Sequence, residues 1–305
     1  AGLGDASSSI QVQRGISPVN ISVPSVGGTI NIITDPAAAA QSTSLRQEMG
    51  SWGFRKTTFG FNSGIINEKF AFSMNLVRTQ GDGFYQGTFN DAWAYYFGAS
   101  YQMTDDDKIE IYAVGAPQRH GQNLYAQNIA RYDQDFAASL EGYDQAAFSR
   151  YREAGRDFNQ NYGGVNTSYL GRQYYEMYNT FTEQRFDPNY IMERENYFHK
   201  PQINVNWYHT FNKNLRWSNV LYWSGGKGGG TGTYGSVSTD YSFQGMGIRQ
   251  WDAEIAQNSD NIDQTYHSAL NRSTGILRNS VNQQRTWGAI SKLNYQVNSA
   301  LNLQV

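Results

Sequence analysis

The chain has 305 residues, a formal net charge of −2 and no cysteine. A near-neutral charge excludes the strong basic field that recruits nucleic acid, and the lack of cysteine excludes disulfides and thiolate metal sites. No stretch approaches the roughly 18 to 20 consecutive apolar residues that a membrane helix requires. Aromatic residues make up 15% of the chain, which suits both the girdles of a membrane β-barrel and a soluble β-sandwich. Composition therefore leaves these two classes open.

The first forty residues contain two short segments, I-Q-V-Q-R-G at 10–15 and S-V-G-G-T-I-N-I-I-T at 25–34. Neither segment fits the hairpin pattern that follows, so residues 1–40 and 41–305 are predicted to form separate domains. Residues 1–10 show no charged start followed by an apolar core, so no signal peptide is visible. We therefore expect either that a leader was removed or that the chain begins within a longer protein.

Beyond residue 40, runs of alternating apolar and polar residues are joined by four short turns. The turns lie at 66–69, 104–108, 211–214 and 297–300, and the flanking runs of about ten residues have the length of tilted membrane-spanning strands. With 44–50 as the first strand, the pattern predicts nine antiparallel strands, the last of which is cut off at Val305. An open sheet of nine strands would leave unpaired edges in lipid, so a larger barrel is expected.

The alternation also predicts which side chains face the membrane. The residues expected to face lipid are Phe72, Tyr95, Ile111 and Val205. Asn75 and Glu110 lie on the opposite face and are expected to contact water. Because a slip of one residue would turn polar side chains toward lipid, the register is well specified. His209 and Asn219 interrupt the apolar faces of their strands, and the sequence offers no reason for them.

The opposite ends of these strands open into two long loops, predicted near 121–200 and 225–285. Within the first loop, residues 133–154 are expected to hold a short surface helix. The run of glycines from Gly225 to Gly230 in the second loop looks flexible. Short turns on one side of a sheet and long loops on the other are typical of an outer-membrane β-barrel. The sequence therefore predicts an all-β fold, a transmembrane antiparallel β-barrel.

The two early segments resemble the end of the plug domain in TonB-dependent outer-membrane receptors. In that family a V-x-R-G strand precedes a G-G-x-x-N-I-I-T strand that leads into the barrel. The resemblance implies an N-terminal plug inside a barrel of 22 strands, with this chain covering the end of the plug and about nine strands. It also implies that Arg14 anchors the plug and that Gly27 and Gly28 allow a tight turn. The segment 115–122 (G-A-P-Q-R-H-G-Q) resembles one in receptors of Bacteroidetes-type bacteria.

The family implies active import of a scarce nutrient across the cell outer membrane. The substrate would be a metal chelate such as a siderophore or a cobalamin-like cofactor, and the partners would be a TonB-type inner-membrane protein and outer-membrane lipids. One alternative is a SusC-like importer of glycans or peptides that works with a surface lipoprotein. Another is a barrel that serves as a scaffold or adhesin. We expect no enzymatic activity, no resident cofactor or metal, and no nucleic-acid partner.

Aromatic and cationic residues of the first long loop are the best candidates for substrate contact. Aromatic rings supply rigid contact area and Arg supplies forked donors. The candidates are Arg119, His120, Arg172, Tyr174, Tyr175, Tyr178 and Arg194. Packing of the loop on itself explains the Tyr and Arg content equally well, and a solvated strand end is the simpler interpretation of His120. The G-x-G-x-x-G match at 230–235 lacks the strand and helix of a dinucleotide site and is set aside.

Overall fold

The computed structural model describes residues 9–14, 28–33, 35–168, 172–176, 180–184 and 187–305. Nearly all of the regular structure is antiparallel β-strand. Among the described residues, no helix combines the length and the apolar character needed to cross a membrane.

The strands, in chain order, are β1 (Ser9–Arg14), β2 (Gly28–Ile33), β3 (Ser42–Met49), β4 (Arg55–Ile66), β5 (Phe70–Asp82), β6 (Phe89–Gln102), β7 (Asp107–Gly115), β8 (Gln118–Gly121), β9 (Tyr162–Gly164), β10 (Arg172–Glu176), β11 (Thr180–Gln184), β12 (Tyr190–Met192), β13 (Glu195–His199), β14 (Gln202–Asn212), β15 (Leu215–Gly235), β16 (Thr239–Asp240), β17 (Ile248–Arg249), β18 (Gly275–Gln296) and β19 (Asn302–Gln304). The helices are α1 (Ile129–Tyr132), α2 (Gln134–Ser139), a 3-10 helix (Gln145–Ser149) and α3 (Trp251–Asp260). Strands β1 and β2 pair only with each other, as an antiparallel ladder.

One large antiparallel sheet forms the barrel wall, with β3 at one edge and β19 at the other. Strands β7 and β8 share one position in this sheet, and so do β13 and β14, because Pro117 and Pro201 interrupt the ladder. A proline has no N–H to donate, yet both proline carbonyls still accept from the neighbouring strands, at 2.8 Å from Trp93 N and 2.9 Å from Gly225 N. Counted as continuous strands, the wall has nine strand positions, as the sequence predicted.

All four predicted short turns join neighbouring strands of the wall. In the turn between β4 and β5, Asn67 and Glu68 both have positive φ angles, 49° and 58°. Two successive left-handed residues match the right-handed twist of the flanking strands, which is why this turn type suits a two-residue hairpin. The conformation of these two turn residues therefore fixes the register of the β4–β5 hairpin next to the turn.

The outer face of the wall carries the residues predicted to face lipid. Phe72 pairs with Ala99, Ala99 with Ile111, and Ile111 with Val205, so these side chains form one row across four strands. Tyr95 lies on the same face of β6, an even number of positions from Ala99. Ile111 is 48% exposed, whereas its neighbour Glu110 on the other face is 6% exposed. The predicted alternation is present in the fold.

The opposite face of the wall is the interior face of the partial barrel. It carries Asn75 and Glu110, as predicted, but both side chains are buried rather than in contact with water, among a row of small buried side chains. The segment that follows β2 lies against this face, because Pro36 is fully buried and a Cβ placed on Gly98 would come within 2.9 Å of its ring. The absence of a side chain at Gly98 therefore allows the connecting segment to approach the wall closely.

The two polar residues that interrupt the outer face have partners near the short turns. His209 Nδ1 lies 2.8 Å from Asp107 Oδ1, and Trp207 donates its indole N–H to the same oxygen at 3.0 Å. Asn219 Oδ1 accepts from the hydroxyl of Ser291 at 2.8 Å. Polar groups that bond to each other beside aromatic rings suit the boundary between lipid and water. The structure thus explains His209 and Asn219, which the sequence left unexplained.

The second long loop is shorter than the sequence predicted. Strand β15 continues to Gly235 and strand β18 begins at Gly275, so the segment Gly225–Gly230 is paired strand rather than flexible loop. Backbone ladders need no side chain, and β13 and β18 supply partners on both sides of these glycines. In the first long region, between Gly121 and Glu195, the short helix expected within 133–154 corresponds to α2 and the 3-10 helix. The region also holds α1 and the strand pairs β9–β12 and β10–β11.

Candidate functional site

A groove of about 480 Å³ opens on the barrel wall, beyond Pro201 on the side away from the short turns. The residues that line it are Asn196, Tyr197, Phe198, Lys200, Gly226, Lys227, Gly228, Gly229, Gly230, Ser280, Asn282, Gln283 and Gln284. Cross-strand pairing places most of them on the interior face, since Phe198 pairs with Gln118, and Gln118 with the buried Ala92 of that face. The groove therefore lies inside the partial barrel.

Glycines of β15 form the floor of the groove. Gly226, Gly228 and Gly230 occupy alternate positions on the interior face, so their strand presents only backbone there. A Cβ added to Gly228 would lie 2.6 Å from the carbonyl oxygen of Tyr197 and 2.8 Å from Cβ of Phe198. Such contacts are too close, so glycine is required for β13 to pack on β15. The same absence of side chains gives the groove its depth.

The two walls of the groove differ in chemistry. On the β13 side, the ammonium of Lys200 lies 5.8 Å from the ring centre of Phe198, which pairs a cation with an aromatic face. On the β18 side, Ser280, Asn282 and Gln284 stand opposite the floor glycines. Hydroxyl and amide groups both donate and accept hydrogen bonds. A cavity of this size with one aromatic face and a few polar groups has the character of a small-molecule site.

Arg194 lies at the upper end of the groove. A Cβ added to Gly232 would clash with the guanidinium of Arg194, so the Arg194 side chain lies directly over this glycine. Its Nη2 donates to the hydroxyl of Tyr125 at 2.8 Å, and its carbon centre lies 5.7 Å from the ring. On β18, Arg278 pairs with Gly232 and lies over Tyr234 at 5.5 Å. Two cations supported by aromatic rings therefore border the groove.

A folded cap, defined here as residues 122–194 and 236–274, covers this end of the wall. Its centre is Glu193, whose side chain is 1% exposed. Arg249 donates to both carboxylate oxygens of Glu193, at 3.1 and 3.3 Å, and Thr233 of β15 donates at 3.2 Å. Burial opposes the charge on Arg249, but the bonds to Glu193 outweigh it and raise the pKa of Arg249. This network links both long loops to the wall.

A small apolar core completes the cap. Trp251 at the start of α3 packs with Val165 and Ile191, and all three are buried. The surrounding half-buried side chains are Val237, Ile255 and Leu277. Because Leu277 belongs to β18, the core joins the cap to the rim of the wall. Burial of an aromatic ring in such a core is worth a few kcal/mol.

The structure separates two neighbouring candidates from the sequence. Arg119 points to the outer face of β8, where it lies 5.1 Å from the ring centre of Phe89. His120 points to the interior face and pairs with Asn196, which lines the groove. Successive residues of a strand face opposite sides of the sheet. The two candidates therefore cannot contact one ligand in the groove.

The other loop candidates lie on a hairpin that extends from the cap. Arg172, Tyr174 and Tyr175 belong to β10, which pairs with β11 and lies beside β15 and β18. Tyr178 lies outside the described residues. The base of this hairpin is the β9–β12 pair, where Tyr162 stacks on Tyr190 at 4.5 Å.

The base is also held by a polar contact. Tyr162 donates to Asp187 Oδ2 at 2.9 Å. Burial and the Asp187 carboxylate raise the pKa of Tyr162, so the phenol stays protonated and keeps donating. The hairpin thus extends from a well-ordered base.

The plug residues stand in the small sheet at the start of the chain. Arg14 ends β1 and pairs with Gly28, the first residue of β2. Gly27 lies outside the described residues. Residues 12–14 of the first motif and 28–33 of the second are therefore antiparallel neighbours, and the anchoring role of Arg14 stays a prediction.

Sequence reasoning missed most of the groove and the whole centre of the cap. Phe198 and Lys200 were passed over because they stand at the end of a segment treated as loop. A usable signal was present in β15, where glycine recurs at every second position from Gly226 to Gly232. A period of two indicates a strand with one face free of side chains. Nothing in the sequence around Glu193 or Arg249 indicates that these two residues pair.

Comparisons with known proteins add the fold family. No protein-family model and no curated protein sequence matches the chain. The siderophore receptor PiuA from Acinetobacter baumannii matches with a TM-score of 0.59 at 10% identity, over 98% of this chain and 34% of that one. The open form of the ferric-catecholate import receptor Fiu from E. coli K12 matches with a TM-score of 0.56 at 13% identity, over 95% and 36%.

The pyoverdine outer membrane receptor FpvA from Pseudomonas aeruginosa PAO1 matches with a TM-score of 0.55 at 11% identity, over 94% of this chain and 32% of that one. The chain thus spans about a third of the length of these receptors. Likeness at this level of identity establishes the fold. The nine strand positions have the fold of part of the barrel of these receptors.

Proposed function

We propose that this chain is part of an outer-membrane importer that takes up a scarce nutrient through a plugged barrel, driven by a TonB-type inner-membrane partner. The observation that carries the proposal is the interior groove, which puts an aromatic face, a lysine and several amides on the inside of a receptor-type wall. An adhesin would need its binding groups on the outer surface of the loops instead. The order of the plug motifs before the wall supports the same function.

A metal chelate is the substrate class that we favour. The neighbours of similar fold are named as ferric-catecholate, siderophore and pyoverdine receptors. Cations border the groove at Lys200, Arg194 and Arg278. Arg194 also pairs with Glu193 of the cap at 3.3 Å, but no carboxylate is among the residues that line the groove. A positive rim attracts an anionic chelate and orients it by charge-assisted hydrogen bonds.

A second candidate substrate is an oligosaccharide delivered by a surface lipoprotein. The amides of Asn196, Asn282 and Gln284 and the ring of Phe198 favour it, because sugar hydroxyls need paired donors and acceptors and sugar rings stack on aromatic faces. A lipoprotein gene beside the full-length gene would support this candidate.

The groove is tested in cells that express the full-length receptor. Uptake is measured with iron-labelled catecholate, hydroxamate and citrate chelates, with and without a protonophore. Replacement of Lys200 by Met is expected to weaken high-affinity uptake roughly 10- to 100-fold, because a charge-assisted hydrogen bond contributes about 1.5–3 kcal/mol. The matched control is Lys213→Met, in the exposed turn between β14 and β15, which should leave uptake unchanged.

Uptake that ignores the protonophore would contradict energised import. Energised uptake of labelled oligosaccharides, with no uptake of any chelate, would show that the substrates are glycans rather than chelates. Equal uptake by the Lys200 and Lys213 variants would show that the groove does not take part in substrate recognition.

The cap hairpin provides a separate test of substrate capture. Residues 169–186 are replaced by a short Gly-Ser linker, which keeps the β9–β12 pair and the bond from Val165 N to Asn189 O at 2.8 Å. The hairpin carries Arg172, Tyr174 and Tyr175, so its loss is expected to abolish capture at low substrate concentration. Normal uptake by this variant would show that the hairpin is dispensable.

A further inference from the structure

One buried cation of the cap lacks a counter-charge. Arg131, in α1, is 7% exposed. Its guanidinium carbon lies 5.6 Å from the ring centre of Tyr151 and 5.7 Å from that of Phe158. Its Nε and Nη1 atoms are buried and have no hydrogen-bond partner among the described residues.

Nearby carboxylates already have partners. Asp133 accepts from the backbone of Phe136 at 2.8 Å and from Arg156. Glu153 accepts from the backbone N–H of Gln134 at 2.9 Å. Both acids hold the segments that flank Arg131, so neither is free to turn toward it without breaking those bonds.

A buried guanidinium without a partner is costly. Burial lowers the pKa of Arg131, yet an arginine stays protonated in water at neutral pH because its ordinary pKa exceeds 12. Aromatic faces offset only part of the lost hydration, whereas an anion that accepts from the free N–H groups would offset most of it. The described residues therefore supply no anion to compensate the charge of Arg131.

We propose that Arg131 binds an oxyanion, a carboxylate or phosphate group, and that this anion closes the contact between α1 and residues 151–158. These residues have no regular secondary structure. They are anchored by the bond from Ala154 N to Arg131 O at 2.8 Å, the Arg156–Asp133 pair, and the bonds that Tyr151 O and Asp157 O accept from Gln134 and from Gln86 N. Residues 151–156 are exposed or half-buried, so displacement of this part of the segment opens the guanidinium to solvent while Asp157 and Phe158 stay in place. The anion site does not depend on what the receptor imports.

The experiment uses the purified full-length receptor in detergent and follows amide hydrogen exchange in residues 129–158. Sodium phosphate and sodium citrate are compared separately with sodium chloride at equal ionic strength, so that phosphoryl and carboxylate groups are distinguished. The wild type is expected to exchange at least tenfold more slowly in one of the two anions, with saturation. Arg131→Met should show no such response.

The matched control is Arg152→Met, because Arg152 is exposed and bonds only the neutral side chain of Gln244, at 2.9 Å. It should respond as the wild type does. In chloride, Arg131→Met should exchange no faster than the wild type, since the substitution removes an uncompensated charge while keeping the bulk of the side chain.

Three results would overturn the proposal. The first is a wild type indifferent to both anions, and the second is an equal response of Arg131→Met. The third is faster exchange of Arg131→Met in chloride, which would mean that the protein itself already compensates the charge. None of these results bears on energised uptake, so failure of the anion site is distinguishable from failure of the import function.

Discussion

The barrel wall and the cap are stabilised in different ways. In the wall, apolar side chains cover the outside, and backbone ladders join neighbouring strands from β3 to β19 with interruptions at Pro117 and Pro201. In the cap, a small apolar core around Trp251 is joined to a buried polar network around Glu193. The wall repeats one local rule along every strand. The cap depends on a few contacts between segments that are far apart in the chain.

The difference shows where each region is vulnerable. A residue on the outer face of the wall is exposed on one side and flanked by two neighbouring strands, so its replacement by another apolar residue changes little. A cap residue such as Glu193 is surrounded by protein, and its loss leaves a buried cation without a partner. The groups that we propose to bind substrate lie where the two regions meet, at Arg194 and the adjoining groove.

The largest expected effect is in the cap. Replacement of Glu193 by Ala leaves Arg249 buried without its carboxylate, which should cost the cap about 3–5 kcal/mol of local stability. The measurement is amide hydrogen exchange in residues 122–194 and 236–274, together with heat-modifiable electrophoretic mobility of the barrel. Exchange in the cap should accelerate by roughly two to four orders of magnitude, while the mobility stays unchanged.

Glu141→Ala is the control, because Glu141 is exposed in a turn of the same cap and should change exchange little. The double replacement Glu193→Leu with Arg249→Met should restore much of the protection, because it removes both buried charges. If Glu193→Ala and Glu141→Ala exchange alike, the network contributes nothing to the cap.

A smaller effect is expected from a charge on the lipid face of the wall. Ile111→Arg should destabilise the inserted barrel by about 2–4 kcal/mol if the row that contains Ile111 lies near the bilayer midplane. Asn204→Arg, on the interior face of the adjacent strand β14, should cost less than about 1 kcal/mol because that face meets water. Urea titration of the barrel folded into lipid vesicles measures both values.

Spin labels at the same two positions provide an independent readout. The label at 111 should report lipid and the label at 204 should report water. The reverse pattern would show that the register is displaced by one residue.

The smallest expected effect depends on pH and is confined to α2. The backbone N–H of Phe136 and the guanidinium of Arg156 lower the pKa of Asp133. A depressed pKa contributes stability that is present above the ordinary value of about 3.9 and is lost as the pH falls through the lower folded value. Asp133→Asn keeps a good helix cap but removes the charge.

The measurement is amide hydrogen exchange in residues 134–139, with each rate divided by the intrinsic exchange rate at the same pH. The amides of Asp133→Asn should exchange faster than those of the wild type at pH 6, and the two rates should converge as the pH falls through the lowered pKa of Asp133. Asp135→Asn, in the same short helix, is the control. A constant difference at all pH values would mean that the cap geometry, rather than the charge, is responsible.

The sequence by itself determined the wall. Alternation with a period of two and turn residues such as Asn67 are local properties, and they predicted nine strand positions, four turns and the outward face of Ile111. The resemblance to the receptor family supplied the larger barrel, and the fold agrees with that type. The limits of the second loop were wrong because glycine was taken as a sign of flexibility rather than of a bare strand face.

Only the tertiary structure decided the groove, the cap and the buried charge at Arg131. The groove requires β13, β15 and β18 to be in register, and that register is the sum of turns and loops along about ninety residues. Glu193 and Arg249 are 56 residues apart in the chain, and nothing near either one signals the other. Local patterns determine which face of a strand is polar, but the long-range packing of loops determines which polar groups converge, because loop closure places no periodic constraint on sequence.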